Sequence, residues 1–169
     1  MLADDFEEIE AFTVIDVLRR AEIEVVTAGL VSTVVEGSHK IRAIADKKFS
    51  ETSDDFDALV LPGGPGHRKL ANSQGVLNLI KDFNNKNKII AAICAAPSVL
   101  ARAGILEDKR ATIYPGMEKE LPRPRDSNVV IDKNIITSKG PGTAMEFALE
   151  LVKILNPQKA GEVKKRLVV

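Results

Sequence analysis

The chain has 169 residues, 44% of them hydrophobic, and its 24 basic side chains are balanced by 24 acidic ones. That is the size of one domain with a sizeable core, and the charge balance argues against a nucleic-acid or anionic-membrane surface. No apolar run approaches the roughly 20 residues of a spanning helix, and no charged-then-apolar leader opens the chain.

The single cysteine, Cys94, cannot form an internal disulfide, which points to a reducing, cytoplasmic home. Two widely spaced histidines, His39 and His67, make no clustered zinc motif. No metal or cofactor is expected.

In chain order, Glu7 to Ala21 reads as a helix with acidic residues in its first turn. EVVTAGL, from Glu24, is a β-branched run of strand length. VVEGSHKIRAIA suggests short strands around Gly37. ALVLPGG, from Ala58, is a buried-type strand ending in a turn; Gln74 to Lys86 gives a helix, and KIIAAIC a second buried-type strand. Ala95 to Ala103 is helical and closed by Gly104, and ATIYP is a short strand. NVVIDKNIITS predicts a hairpin turning at Asp132 to Asn134. Thr143 to Leu155 is a helix ended by Asn156 and Pro157, and a short basic helix follows.

Strands alternate with helices, and several strands are apolar throughout, the pattern of a parallel sheet covered on both faces. Ligands of such sheets sit beyond the carboxyl ends of the strands. Two turns have that location, PGG after ALVL and Cys94 after KIIAAI. A doubly wound fold normally opens with a strand, whereas this chain begins almost directly with a helix, so the sheet is expected to start one strand short.

Cys94 sits on a strand-to-helix turn between Ala91-Ala92 and Ala95-Ala96. A strained elbow needs small neighbours, and alanine meets that need here. A helix N-terminus would lower the thiol pKa. An inert cysteine packed among alanines fits the same residues. Stepping the first helix at 100° per residue places Val14, Val17, Leu18 and Ala21 on one arc, with Glu10 inside it and Glu8, Asp16, Arg19 and Arg20 outside. A carboxyl on the buried face must be hydrogen-bonded or protonated. It lies near the edge where Cys94 is expected, which suggests an acid beside a thiol.

Ile9 and Phe12 fall on the charged side, as a patch that a homodimer contact would cover. LPGGPG offers backbone N–H groups at Gly63 and Gly64 to an oxyanion, or is simply a tight turn. In TSKGPGTAMEF, Thr143 with Glu146 predicts a capping box, with Gly140 to Gly142 as a pocket wall. His67 reads as a surface loop residue.

ADDFEEIEA, VLPGG, AAICAAP and TSKGPGT, in this order and almost end to end, resemble the ThiJ/PfpI superfamily. The nearest branch is that of the Parkinson-disease-associated protein deglycase and its bacterial relatives. The resemblance implies a flavodoxin-like three-layer sandwich with a mostly parallel sheet and a cysteine nucleophile elbow. It also implies a homodimer with the first helix at the interface, and it makes the family's first strand missing from this chain.

By the same resemblance Cys94 is the reactive, oxidisable cysteine and Glu10 the acid at its sulfur. Gly63, Gly64, Ala95, Tyr114, Gly140 and Pro141 would form the oxyanion site and pocket. His39 falls where relatives often carry an Arg reaching toward the partner's pocket. Tyr114 replaces a common His. The peptidase branch has His directly after the cysteine, where Ala95 stands, and glutamine amidotransferases need a downstream His, and none follows Cys94.

The implied function is a cysteine-dependent glyoxalase or deglycase acting on small α-dicarbonyls or their early adducts, related to oxidative stress. The alternative is a redox sensor or chaperone signalling through oxidation of Cys94.

Overall fold

The computed structural model describes residues 1–53 and 55–169. Its elements are α1 (Glu8–Arg20), β1 (Ala28–Gly29), β2 (Val34–Glu36), β3 (Arg42–Ile44), β4 (Lys47–Lys48), β5 (Ala58–Leu61), α2 (His67–Ala71) and α3 (Gln74–Asn85). There follow β6 (Ile89–Ile93), α4 (Pro97–Arg102), β7 (Val129–Asp132), β8 (Ile135–Ser138), α5 (Ala144–Leu155) and α6 (Ala160–Leu167).

The main sheet has the order β5-β6-β8-β7, parallel except for the β7–β8 hairpin, whose turn carries Lys133 at φ 56°. Period-two alternation explains why its central strand is apolar throughout. Ile90 and Ala92 of β6 enter one core with Leu61, Ile80, Phe83 and Leu100, beneath α2, α3 and α4. Ala91 and Ile93 enter the other with Val17, Phe147 and Leu151, beneath α1, α5 and α6. The result is an α/β sandwich of three layers in which α1 packs on α5.

Three elements depart from the expected pattern. EVVTAGL forms a strand only at Ala28–Gly29, paired in parallel with β4; among the described residues, 23–27 join no ladder. Met1 and Leu2 lie beside it: Leu2 bridges Gly29 in parallel, and the Met1 amino group donates to the Val60 carbonyl at 3.0 Å. ATIYP makes a single bridge, Ala111 with Pro124, in place of a strand. The helix after Cys94 starts later than its composition suggests, at Pro97, since residues 94–96 are spent on the turn. The short α2, whose first residue is His67, was not legible in the sequence.

Candidate active site

Cys94 follows the last residue of β6 with φ 63°, in the left-handed region where an L-residue with a Cβ costs about 1–3 kcal/mol. The surroundings hold it there. Its N–H donates to the Ser138 carbonyl at 2.9 Å and its carbonyl accepts from the Tyr114 N–H at 2.9 Å. Buried Ala95 and Ala96 follow, and the cysteine is 8% exposed. The turn is therefore a strained, fully tied elbow.

Glu10, wholly buried in the first turn of α1, lies against it. Its Oε2 accepts from the Gly63 N–H at 2.7 Å, while Oε1, also buried, has no hydrogen-bond partner of ordinary geometry among the described residues. Burial pushes this carboxyl up to about 7, against the pull of the Gly63 N–H and the Cys94 thiol. One proton shared with the sulfur satisfies the orphan atom: the thiol can donate to an ionised Oε1, or a protonated Oε1 can donate toward the sulfur.

The thiol also differs from expectation. Burial pushes Cys94 up to about 12, and the Glu10 charge adds to the rise; the N–H groups of Gly64 and Ala95 pull the other way. A six-residue helix that starts at Pro97 is too short and too far along the chain to reverse the cost of burial. The two groups titrate as one pair: a proton on Glu10 removes the charge that disfavours the thiolate.

The glycine turn has separate duties. The Gly63 N–H, expected to face an oxyanion, is taken by Glu10. A Cβ on Gly63 would stand 2.6 Å from the Cys94 Cβ and 2.9 Å from Glu10 Oε2, so only glycine lets turn and elbow meet. Gly64 has φ 78° and its N–H faces the sulfur together with that of Ala95. His67 Nδ1 bonds the Gly64 carbonyl at 2.9 Å, which steadies the turn.

Tyr114, 47% exposed, packs its ring edge on Gly140, where an added Cβ would come within 3.3 Å. Pro141 opens the short turn that follows. The capping box expected at Thr143 is absent: its hydroxyl turns back to the Gly140 carbonyl at 2.9 Å and pairs with the Ser138 hydroxyl at 2.6 Å. Glu146 instead accepts from the Asn128 side chain.

Two acidic residues carry more than the helical wheel assigned to them. Glu7 caps α1 by accepting from the Glu10 N–H at 2.8 Å, and so fixes the turn that carries Glu10. Glu8, placed by the wheel outside the buried arc, is buried beneath the 37–39 loop. There it accepts from the His39 N–H at 2.6 Å, the His39 ring at 2.8 Å and the Ser38 hydroxyl at 3.1 Å. Burial opposes its charge, but these bonds hold it down at about 2. The run EEIE was the only sequence signal for either role.

His39, expected to reach a partner's pocket, is thus engaged by Glu8 of its own chain. Glu7, Glu8 and His39 bring ligand atoms within 4.8 Å of one another, yet Glu8 and His39 are spent on each other. Ile9 and Phe12 are 57% and 39% exposed, and the Phe12 ring meets the buried Phe6 edge-on at 5.9 Å.

A thiol on a strained strand-to-helix elbow, with a buried carboxylic acid beside it and main-chain N–H groups around it, defines a cysteine-elbow protein of the α/β class. Residues 1–154 match the model of the DJ-1/PfpI family, and the chain belongs to that family.

It is 42% identical to protein dj-1beta of Drosophila melanogaster, over all of this chain and 95% of that protein. The crystal structure of Drosophila melanogaster DJ-1beta superimposes with a TM-score of 0.95, covering 99% of this chain and 95% of the other. The chain is 37% identical to the glutathione-independent glyoxalase DJR-1.2 of Caenorhabditis elegans, over 97% of this chain and 91% of that one. It is 33% identical to a deglycase of Pyrococcus abyssi, over 90% and 95%.

Proposed function

We propose that this protein is a cysteine-dependent enzyme of the glyoxalase or deglycase type, acting on α-dicarbonyls such as methylglyoxal or their early adducts. The observation that carries the reading is the Glu10 carboxyl, held at about 7 by burial, anchored through one oxygen and free at the other, beside the only thiol. An acid–base group is most effective when its pKa lies near the working pH. Two relatives bear the names of these activities.

In this reading ionised Glu10 takes the thiol proton as the sulfur of Cys94 attacks the aldehyde carbon. An S–C bond forms, and the oxygen, held by the Gly64 and Ala95 N–H groups, receives that proton from Glu10 to give a hemithioacetal, leaving Glu10 ionised again. Glu10 then removes the hydrogen on that carbon and returns it to the adjacent carbonyl carbon, while the hydroxyl proton passes from the first oxygen to the second. The aldehyde carbon is thereby oxidised to a thioester as its neighbour is reduced to an alcohol. Water cleaves the thioester and releases lactate and the free thiol, so overall methylglyoxal plus water becomes lactate plus a proton. For an early adduct on an amine or thiol, that group leaves, protonated, as the Cys94 sulfur takes its place on the carbon, and the remaining steps are the same. Tyr114, Gly140 and Pro141 wall the pocket.

The test is methylglyoxal consumption and lactate formation by wild type, Cys94→Ser and Glu10→Gln. Turnover is expected in wild type alone. A wild type that makes no lactate would sink the enzyme reading.

The second reading is a redox sensor or chaperone. The Gly64 and Ala95 N–H groups with a protonated Glu10 suit a sulfinate on Cys94 as well as they suit an oxyanion. A gain of two oxygens on intact mass after mild peroxide, without turnover, would favour it. A peptidase is disfavoured, since both histidines precede Cys94 and Ala95 follows it.

The protein is further proposed to be a homodimer through the patch of Ile9 and Phe12, with His39 near the partner's pocket. A cytoplasmic location and a small carbonyl substrate, with neither nucleic acid nor membrane as partner, accord with one free thiol and a net charge of zero. Sedimentation of wild type against Ile9→Glu tests the dimer; a wild-type monomer would overturn it.

A further inference from the structure

A groove of about 890 Å³ lies between three segments that lead away from the thiol's site. α2 follows the Gly64 turn and packs on α4, which follows the elbow, while residues 117–122 follow Tyr114. The near end of the groove is bonded to the site itself. His67 bonds the Gly64 carbonyl at 2.9 Å, the Ser98 hydroxyl donates to the Ala95 carbonyl at 2.7 Å, and the Met117 N–H donates to the Tyr114 carbonyl at 3.0 Å.

Helical spacing sets what comes next. Ser98, Ala101 and Arg102 share one face of α4, and Arg68 and Asn72 are one turn apart on α2, so each helix turns an arginine toward the groove. Lys119 adds a third cation from the facing segment. Two carboxylates, Glu107 and Glu120, complete the rim, and each follows a cation along its own segment: Arg102 precedes Glu107, and Lys119 precedes Glu120. Away from the thiol the groove therefore meets positive charge first and negative charge after it.

All five side chains are exposed, and among the described residues none is held by an ion pair or a hydrogen bond. Charges of both signs left unpaired in one groove fit a partner that carries the opposite order of charge. A continuous polyanion would set its phosphates against Glu107 and Glu120. From Ser98 to Arg102 the helix rises about 6 Å, or roughly two residues of extended chain.

We propose that this groove holds the peptide chain flanking an adducted side chain, with acidic residues at the first two positions beyond the adduct and a basic residue after them. The adduct's place at Cys94 rests on the deglycase reading; the binding of the peptide does not.

The probe is the labelled peptide Arg-Ala-Asp-Glu-Ser-Glu-Asp-Ala-Arg with both ends blocked, symmetric so that either chain direction presents the same order of charge. Its counterpart, Glu-Ala-Lys-Arg-Ser-Arg-Lys-Ala-Glu, inverts every charge. Fluorescence anisotropy should show saturable binding of the first peptide and at least tenfold weaker binding of the second. At saturation the first peptide should slow carbamidomethylation of Cys94 at least threefold, since the groove begins at the turns around that thiol. Arg68→Ala combined with Arg102→Ala should weaken the first peptide at least fivefold and leave methylglyoxal turnover within twofold of wild type. Equal binding of the two peptides, binding indifferent to the double variant, or an unchanged alkylation rate would each overturn the proposal. Selective binding with protection of Cys94, but no lactate from methylglyoxal, would sink the enzyme reading and uphold the groove.

Discussion

Replacing Glu10 with Gln should change how the stability of this protein depends on pH. In the unfolded chain the carboxyl titrates near 4.5; in the folded protein burial raises it to about 7. Between those values the native state holds a proton that the unfolded state has lost. Unfolding free energy contributed by this group therefore falls as pH rises from 4.5 through 7 and stays low above it. At 1.36 kcal/mol per pH unit, the gap corresponds to about 3 kcal/mol. Other groups titrate in both proteins and cancel in the difference.

Urea unfolding of wild type and Glu10→Gln at half-unit steps from pH 4.5 to 8.5 measures it. The wild type should lose about 3 kcal/mol relative to the variant across that window, or roughly 6–12 °C in melting temperature for a chain of this size. A flat difference, or one with wild type gaining on the variant as pH rises, would refute a proton held by burial.

Three further outcomes follow from the geometry. Cys94→Gly should be more stable than Cys94→Ala by about 1 kcal/mol, since both lose the thiol but only glycine accepts φ 63° without strain; paired denaturant curves decide it. Gly63→Ala should cost about 1–3 kcal/mol and alter alkylation of Cys94, because its Cβ would strike the cysteine Cβ and Glu10 together. The His39 ring should titrate above its ordinary 6.5 through its bond to Glu8, and Glu8→Gln should bring it down in an NMR titration; an unchanged titration would remove Glu8 from that role.

The sheet was legible because β5, β6 and β8 are apolar runs bounded by turns, and the cysteine elbow because small residues crowd around one thiol. Helical phase put Glu10 inside the apolar arc; it puts Glu7 there as well, and the structure separates the two by making Glu7 the helix cap. Glu8 could not be placed this way. Its burial comes from a loop 29 or more positions away, and helical phase describes a helix without what folds over it. The Gly63 N–H was misassigned for a similar reason: a turn sequence reveals that donors are free locally, and which acceptor takes them depends on packing. Thr143 shows local competition, its hydroxyl satisfying Gly140 and Ser138 instead of its own helix. EVVTAGL has strand composition, but a strand needs a ladder, and among the described residues only Ala28 and Gly29 of this run pair in one.

The elbow has a mechanical consequence. Both main-chain groups of Cys94 are clamped to separate elements, the N–H to the end of β8 and the carbonyl to Tyr114. The sulfur sits on an anvil. Whatever reacts with it, the backbone cannot swing to meet an incoming molecule or recoil from an added oxygen. With the backbone already bonded at both groups, any accommodation in the proposed site falls to side chains, the Glu10 carboxyl beside the sulfur first among them.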